Sequence, residues 1–276
     1  MRIQDALLRV WQMFPLSWRA GLVNSKVAPP LRRLMNTMYP NKPAVFPLAA
    51  PLEGYRMHLD WRASKALVFG TFEQEVTRAL LQIVQQNWVV LDLGAHIGYF
   101  ALLLSKLVGP RGKVIAFEPL SENIRTLEQN LTTNDCRNVV LERRAVAATT
   151  GTVILRLNDD NQLSSTASLE HGRPTAVVDA VSLDDYVSGL RERIDFVIMD
   201  VEGAEAAVLR GMRATLMRDR PILVVELHGF DLYGQDHPAL QTLQSMNYRF
   251  RFLDTPGAQV HVLAEPAKPN CTGGQN

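Results

Sequence analysis

Trp88-Val-Val-Leu-Asp92-Leu-Gly94-Ala-His96-Ile-Gly98 is a short apolar run that carries one acid, stops at a glycine and meets a second glycine four residues later. An unbroken apolar run of this length, rather than an alternating one, is the pattern of a parallel strand buried on both faces. Gly94 and Gly98 allow a sharp turn and let a ligand come close to the N-terminus of the next helix, Tyr99–Leu107, which Gly109-Pro110 ends.

The same unit recurs outward from this point. Lys113–Glu118 reads as a second strand and Ser121–Asn130 as a helix with Ser121 as its N-cap. Val139–Glu142, Ile194–Asp200 and Pro221–Leu227 are further strands, with helices at Ala204–Leu216 and Pro238–Met246. Strands at Thr152–Leu157 and Val177–Val181 flank a polar loop, and Tyr248–Leu253 and Gln259–Val262 come last. Upstream stand a short strand, Tyr55–Leu59, and a helix, Phe72–Gln86. Strands alternating with helices of this length imply βαβ units with right-handed crossovers, and so an α/β fold with a doubly wound, mostly parallel sheet. Residues 55–265 are expected to form that domain, between a basic helical extension (1–54) and a flexible tail (266–276).

With 47% hydrophobic and 21% charged residues over 276 positions, the chain can bury a large core. Its net charge of +1 hides an asymmetry: residues 1–50 carry +6 and the remainder −5. A body of that sign lacks the clustered positive charge that phosphates require, which excludes nucleic acid as a partner. The basic segment holds two helical stretches, 3–14 and 30–38, parted by Pro29-Pro30 and followed by a proline-rich connector, 40–51. Trp11, Phe14 and Trp18 lie on a stretch with helical spacing. The favoured reading has these helices covering a sheet edge or an acceptor pocket; the other is a weak, reversible peripheral contact with an anionic membrane. No apolar run of about 18 residues reads as a membrane span. Arg9, Pro15 and Arg19 break up any signal-peptide core. Cys136 and Cys271 make neither a disulfide framework nor a metal-ligand spacing, so reduced thiols and a cytoplasmic location are expected. Oligomeric state is not encoded in any of these features.

Four strands end in a carboxylate: Asp92, Glu118, Asp200 and Glu226. Ligands of open α/β sheets bind beyond the carboxyl ends of the strands, and four acids in register on that edge are costly to bury without a purpose. The loop spacing is Asp-x-Gly-x-x-x-Gly, not the G-x-G-x-x-G of dinucleotide sites, and an ionised Asp92 would repel a pyrophosphate. It suits a cationic group such as the ammonium of S-adenosylmethionine (SAM). Glu118 is placed at the next strand end to accept hydrogen bonds from both ribose hydroxyls. The cofactor-binding set is therefore Asp92, Gly94, His96, Gly98 and Glu118.

Asp92–Gly98, then Ala116-Phe-Glu-Pro119 with Asn123, Asn130 and Asn134, then Asp200-Val-Glu-Gly-Ala-Glu205, together resemble the FkbM family of SAM-dependent methyltransferases, over a stretch from about Gly70-Thr-Phe-Glu73 to His228. The resemblance implies a class I, Rossmann-like fold, SAM as cofactor, and methyl transfer usually to a hydroxyl of a sugar, glycan or natural-product acceptor. Two positions depart from it: His96 stands where the family has Asn, and Ile198-Met199 stands where a Lys commonly precedes the Asp-Val-Glu-Gly element.

An alcohol acceptor needs a general base or a metal that lowers its pKa. Asp200, Glu202, Glu226 and His228 are the candidates, and Asp200, Glu226 and His228 the catalytic set. The favoured arrangement is metal-free, with His228 as base and Asp200 or Glu226 orienting it. Mg²⁺ held by the same three is the less favoured alternative, because His is an unusual partner for it. Glu205 is expected only to cap its helix or form a salt bridge, and His58, His171, His237 and His261 to lie on the surface or in loops. Asn158-Asp-Asp-Asn-Gln162 is read as a solvated loop rather than an adenine contact. Two other functions compete: a catalytically inactive SAM-binding or scaffolding protein, and a nicotinamide-dependent oxidoreductase.

Overall fold

A computed structural model describes residues 43–61, 64–157, 163–164, 175–253 and 259–267. Both helical stretches of the basic extension, the 158–162 loop and His171 lie outside the described residues. No helix of the described residues is long and apolar enough to cross a membrane.

The described chain opens with an antiparallel hairpin, β1 (Ala44–Pro47) and β2 (Arg56–Leu59), then α1 (Lys65–Phe69) and α2 (Gln74–Ile83). The expected domain boundary at residue 54 falls inside this hairpin. Phe46, Leu52, Met57 and Trp61 are buried in one core with Leu80 and Leu102, so the folded unit already includes β1.

Next come β3 (Val89–Leu93), α3 (Tyr99–Val108), β4 (Lys113–Phe117), α4 (Ser121–Thr133) and β5 (Val139–Glu142). Ser121 is the first helical residue of α4 rather than its cap; Leu120 holds the N-cap position without a side-chain bond. Short strands β6 (Ala145–Val146), β7 (Gly151–Leu157), β8 (Leu163–Ser164) and β9 (Thr175–Val181) form a side sheet in the order β6-β9-β7-β8.

The chain re-enters the main sheet through α5 (Leu183–Val187) and β10 (Phe196–Met199). The helix expected over 204–216 is two helices, α6 (Glu205–Gly211) and α7 (Arg213–Asp219), parted at Met212. Close packing accompanies the break, since a Cβ on Gly211 would lie 2.1 Å from the Ala147 carbonyl oxygen. β11 (Ile222–His228), α8 (Phe230–Tyr233), α9 (Pro238–Ser245), β12 (Tyr248–Phe252) and β13 (Gln259–Pro266) complete the fold. β13 takes in Pro266, where the tail was expected to begin.

The main sheet has the order β12-β13-β11-β10-β3-β4-β5. Every neighbouring pair is parallel except those of β13, which runs antiparallel to both β11 and β12. Without β13 this is the six-strand doubly wound order; the reversed strand is an insertion into it. Alternate side chains feed two cores. Val90, Ile198 and Val224 pack with α3 and the hairpin, whereas Leu91, Val197 and Val225 pack with Val208 of α6 and Leu240 of α9. Burial on both faces accounts for the unbroken apolar runs of these strands. The order reverses between β3 and β10, and this switch point is where a ligand crevice opens.

Candidate functional site

Backbone packing shapes the turn after β3. Gly94 and Gly98 have φ of 92° and 94°, and His96 a positive φ of 49°. A Cβ on Gly94 would lie 1.8 Å from the Asp200 carbonyl oxygen, so β10 itself demands a glycine there. Gly94 and Ala95 N–H donate to Phe117 O, at 3.0 and 2.9 Å, and His96 N–H donates to Glu118 Oε2 at 2.9 Å. Asn130 secures the far side: its Nδ2 donates to Ile97 O (2.8 Å) while its Oδ1 accepts from His58 N–H of β2 (2.6 Å). Asn134 repeats the device on Arg56, with Oδ1 accepting from its N–H and Nδ2 donating to its carbonyl. These asparagines tie the hairpin and the glycine turn to α4.

Glu118 is 1% exposed and accepts from His96 N–H, Leu120 N–H and Asn123 Nδ2. Burial raises its pKa, and those three donors hold it back. Asp92 is 3% exposed and its Oδ2 has no hydrogen-bond partner. Burial, and then the charge of Glu118, push its pKa up to about 7. A buried carboxylate oxygen left orphaned is costly unless a ligand group completes it. Both acids line a cavity of about 1000 Å³, which runs from Glu118 and Asn123 past the glycine turn to Asp200, Glu202 and Glu226.

Strand register builds the far end. Asp200 follows β10 on the row of Glu226, and Glu226 is the cross-strand partner of His261. His228, two residues beyond Glu226, shares its face. His228 Nδ1 meets Glu205 Oε1 at 2.9 Å; Glu205 is 1% exposed and also accepts from Gly203 N–H. His228 Nε2 stands 3.1 Å from Glu202 Oε2, 3.7 Å from Glu226 Oε1 and 3.8 Å from Asp200 Oδ1, without a hydrogen bond to any of them. His261 Nε2 lies 3.5 Å from Glu226 Oε2 and 3.3 Å from Glu73 Oε2, which the corner before α2 brings in at φ 36°.

Burial alone would lower the pKa of His228, but Glu202, Glu205 and Glu226 raise it to about 11. Burial and the charges of Glu226 and Glu202 drive Asp200 well above the carboxylate range. Burial also pushes Glu226 upward, yet the neighbouring His261 and His228 bring it below its usual value. The surroundings thus favour the neutral form of Asp200 and the charged forms of Glu226 and His228.

Residues 92–250, more than half of the chain, match the family described as the methyltransferase FkbM domain. The chain belongs to the FkbM methyltransferase family. Its α/β sheet is of the class I methyltransferase kind. The methyltransferase sdnD of Sordaria araneosa is 29% identical to it over 158 residues, 46% of this chain and 61% of that protein. The hexuronic acid methyltransferase AglP of Haloferax volcanii is 28% identical over 162 residues, 56% of this chain and 62% of that protein. Each match therefore spans less than two thirds of the relative. A solved FkbM methyltransferase from Methylobacillus flagellatus aligns with a TM-score of 0.46 at 21% identity, over 65% of this chain and 43% of that one.

In this FkbM family member Asp92, Gly94, His96, Gly98 and Glu118 all line the cavity. Asp200 and Glu226 line the same cavity, and His228 Nε2 lies behind them within 3.8 Å of both. The arrangement differs from expectation at three points. Glu205, not Asp200 or Glu226, holds His228 Nδ1. His261 is not a surface residue but the partner of Glu226, and Glu73 joins them. His237 is also buried: it caps α9 by accepting from Ala239 N–H, and its Nε2 contacts the His228 carbonyl oxygen.

Proposed function

We propose that this chain transfers a methyl group from SAM to a hydroxyl oxygen of a sugar, glycan or natural-product acceptor. The observation that carries the reading is Asp92 Oδ2, a buried and unpartnered carboxylate oxygen on the wall of a cavity that has Glu118 at one end and the Asp200–Glu226 row at the other. Asp92 would hold the ammonium of SAM, and Glu118, whose Oε2 has a single donor, would accept from the ribose. Gly94, His96 and Gly98 would give the backbone turn its close approach. When bound, SAM would supply a methyl activated on its sulfonium for the acceptor oxygen, with a thioether as the leaving group. Glu226, a strand-end acid on the cavity wall, would take the hydroxyl proton. Asp200 would hold the acceptor oxygen in line, with His228 behind it bracing the acids, and alignment of this kind supplies on the order of several kcal/mol. The hexuronic acid in the name of one relative agrees with a sugar acceptor.

Calorimetry with SAM and a labelled-methyl assay across sugar, lipid-linked glycan and phenolic acceptors test this. Micromolar-range SAM binding that Asp92→Ala and Glu118→Ala each weaken at least tenfold is expected, with label on a hydroxyl. SAM binding without transfer to any acceptor would favour a catalytically inactive SAM-binding protein; equal affinity in both variants would remove the cofactor assignment.

A further inference from the structure

His228 is nine-tenths buried, and its Nε2 has no hydrogen bond although three carboxylates face it. Its other ring nitrogen meets the buried carboxylate of Glu205. That pairing fixes the ring with hydrogen on Nδ1, so a cation that displaces the Nε2 proton would meet a lone pair aimed at Asp200, Glu202 and Glu226. A carboxylate holding a histidine so that its far nitrogen points at a metal is the usual outer-shell device of metal sites.

The spacings fit an ion. Ligand atoms about 2.1 Å from a cation lie on the order of 3–3.5 Å from one another, rising to about 4.2 Å when opposite. Nε2 stands 3.1, 3.7 and 3.8 Å from the three carboxylate oxygens, too far from two of them for good hydrogen bonds. Asp200 Oδ1 is buried and unpartnered as well. On its other side Glu226 Oε2 faces His261, which leaves Oε1 for the centre of the cluster. Four acids (Asp200, Glu202, Glu205 and Glu226) surround one imidazole, an oxygen-rich setting that suits a dication.

We propose that Asp200, Glu226 and His228, with Glu202 beside them, bind one divalent first-row cation of the Mn²⁺ kind at the acceptor end of the cavity. An imidazole among carboxylates suits Mn²⁺ better than Mg²⁺, which prefers oxygen ligands and retained water. Glu205 and His261 are positioning residues for this site. Resting on the methyl-transfer reading, the inference gives the cation a task, to lower the pKa of the acceptor hydroxyl.

The test is titration of the EDTA-stripped full chain with Mn²⁺, following the free-ion signal by electron paramagnetic resonance, with SAM calorimetry on the same preparations. One Mn²⁺ per chain at a micromolar-range Kd is expected. His228→Ala and Glu226→Gln should each weaken it at least tenfold, and Glu205→Gln about tenfold while melting normally. SAM affinity should stay within about twofold throughout. No saturable uptake by the wild-type chain up to about 1 mM Mn²⁺, or equal uptake by the His228 and Glu226 variants, overturns the site. Loss of the metal site with SAM binding intact leaves the methyl-transfer reading standing, and Mn²⁺ uptake without SAM binding does the reverse.

Discussion

Glu226 on β11 and His261 on β13 are cross-strand partners, and His261 Nε2 comes within 3.5 Å of Glu226 Oε2. The contact ties the strand-end acid Glu226 to a strand running the opposite way. His261→Ala should therefore lower kcat about tenfold while the Kd for SAM stays within about twofold, because Asp92 and Glu118 are on other strands. A joint loss of SAM affinity and kcat would show that His261 supports the whole crevice instead.

Asp92 should make SAM binding depend on pH. With its pKa up at about 7, the carboxylate is ionised above that pH and protonated below it. A cationic ligand needs the ion, so SAM affinity should be constant above pH 8 and fall toward tenfold per unit below pH 7. Calorimetry from pH 5 to 8.5 measures it, and Asp92→Asn should bind weakly with a flatter profile.

The same residue costs the ligand-free fold stability. An acid whose folded pKa is raised is neutral to stability below its unfolded value near 4. It becomes destabilising as pH rises toward the folded value of about 7. Asp92→Asn should thus raise the thermal stability of the SAM-free protein by ~1–4 kcal/mol at pH 8, and by much less at pH 4.5. Equal effects at both pH values would mean that the gain is not electrostatic.

Gly94 and Gly98 should differ in tolerance. At Gly94 a Cβ would meet the backbone oxygen of Asp200 at 1.8 Å, and β10 cannot retreat without breaking its ladder. At Gly98 it would meet Leu127 Cδ1 at 2.3 Å, the end of a rotatable side chain. Gly94→Ala is expected to lose on the order of 3 kcal/mol or more and SAM binding with it, whereas Gly98→Ala should lose ~1–2 kcal/mol. Denaturant melts of the two variants compare them directly.

Asn130, fully buried, serves a carbonyl of the glycine turn and an N–H of β2 at once. Asn130→Ala strands both and should cost ~2–4 kcal/mol with a fall in SAM affinity. Asn134→Ala, whose bonds to Arg56 lie at the surface, should cost under about half as much.

Much of this was legible from residue pattern. β3, β4, β10 and β11 are buried on both faces, so their apolar runs stand out, and each carries an acid near or just past its carboxyl end that lies at the crevice. Asp92 and Glu118 were readable because a glycine spacing marks the turn between them. His261 was not, because its meeting with Glu226 depends on the register of an antiparallel strand inserted between β11 and β12. Glu73 sits at a left-handed corner with no periodicity to mark it. Glu205 looked like an ordinary first-turn acid because first-turn acids usually face solvent, yet here the carboxylate is sealed under His228. The break at Met212 follows no glycine or proline rule; it sits beside the close approach of Gly211 to Ala147.

The late position of β13 has a consequence for biosynthesis. Residues 89–142 contain the glycine turn, Glu118 and the asparagines that steady them, and all of these leave the ribosome before residue 259. A nascent chain halted before β13 can assemble the Asp92–Glu118 end but cannot make the Glu226–His261 contact, and β12 then has no described strand to pair with. Domains generally fold as units during synthesis. Here the sheet is closed, and Glu226 first given its histidine partner, by β13, which follows every other described strand.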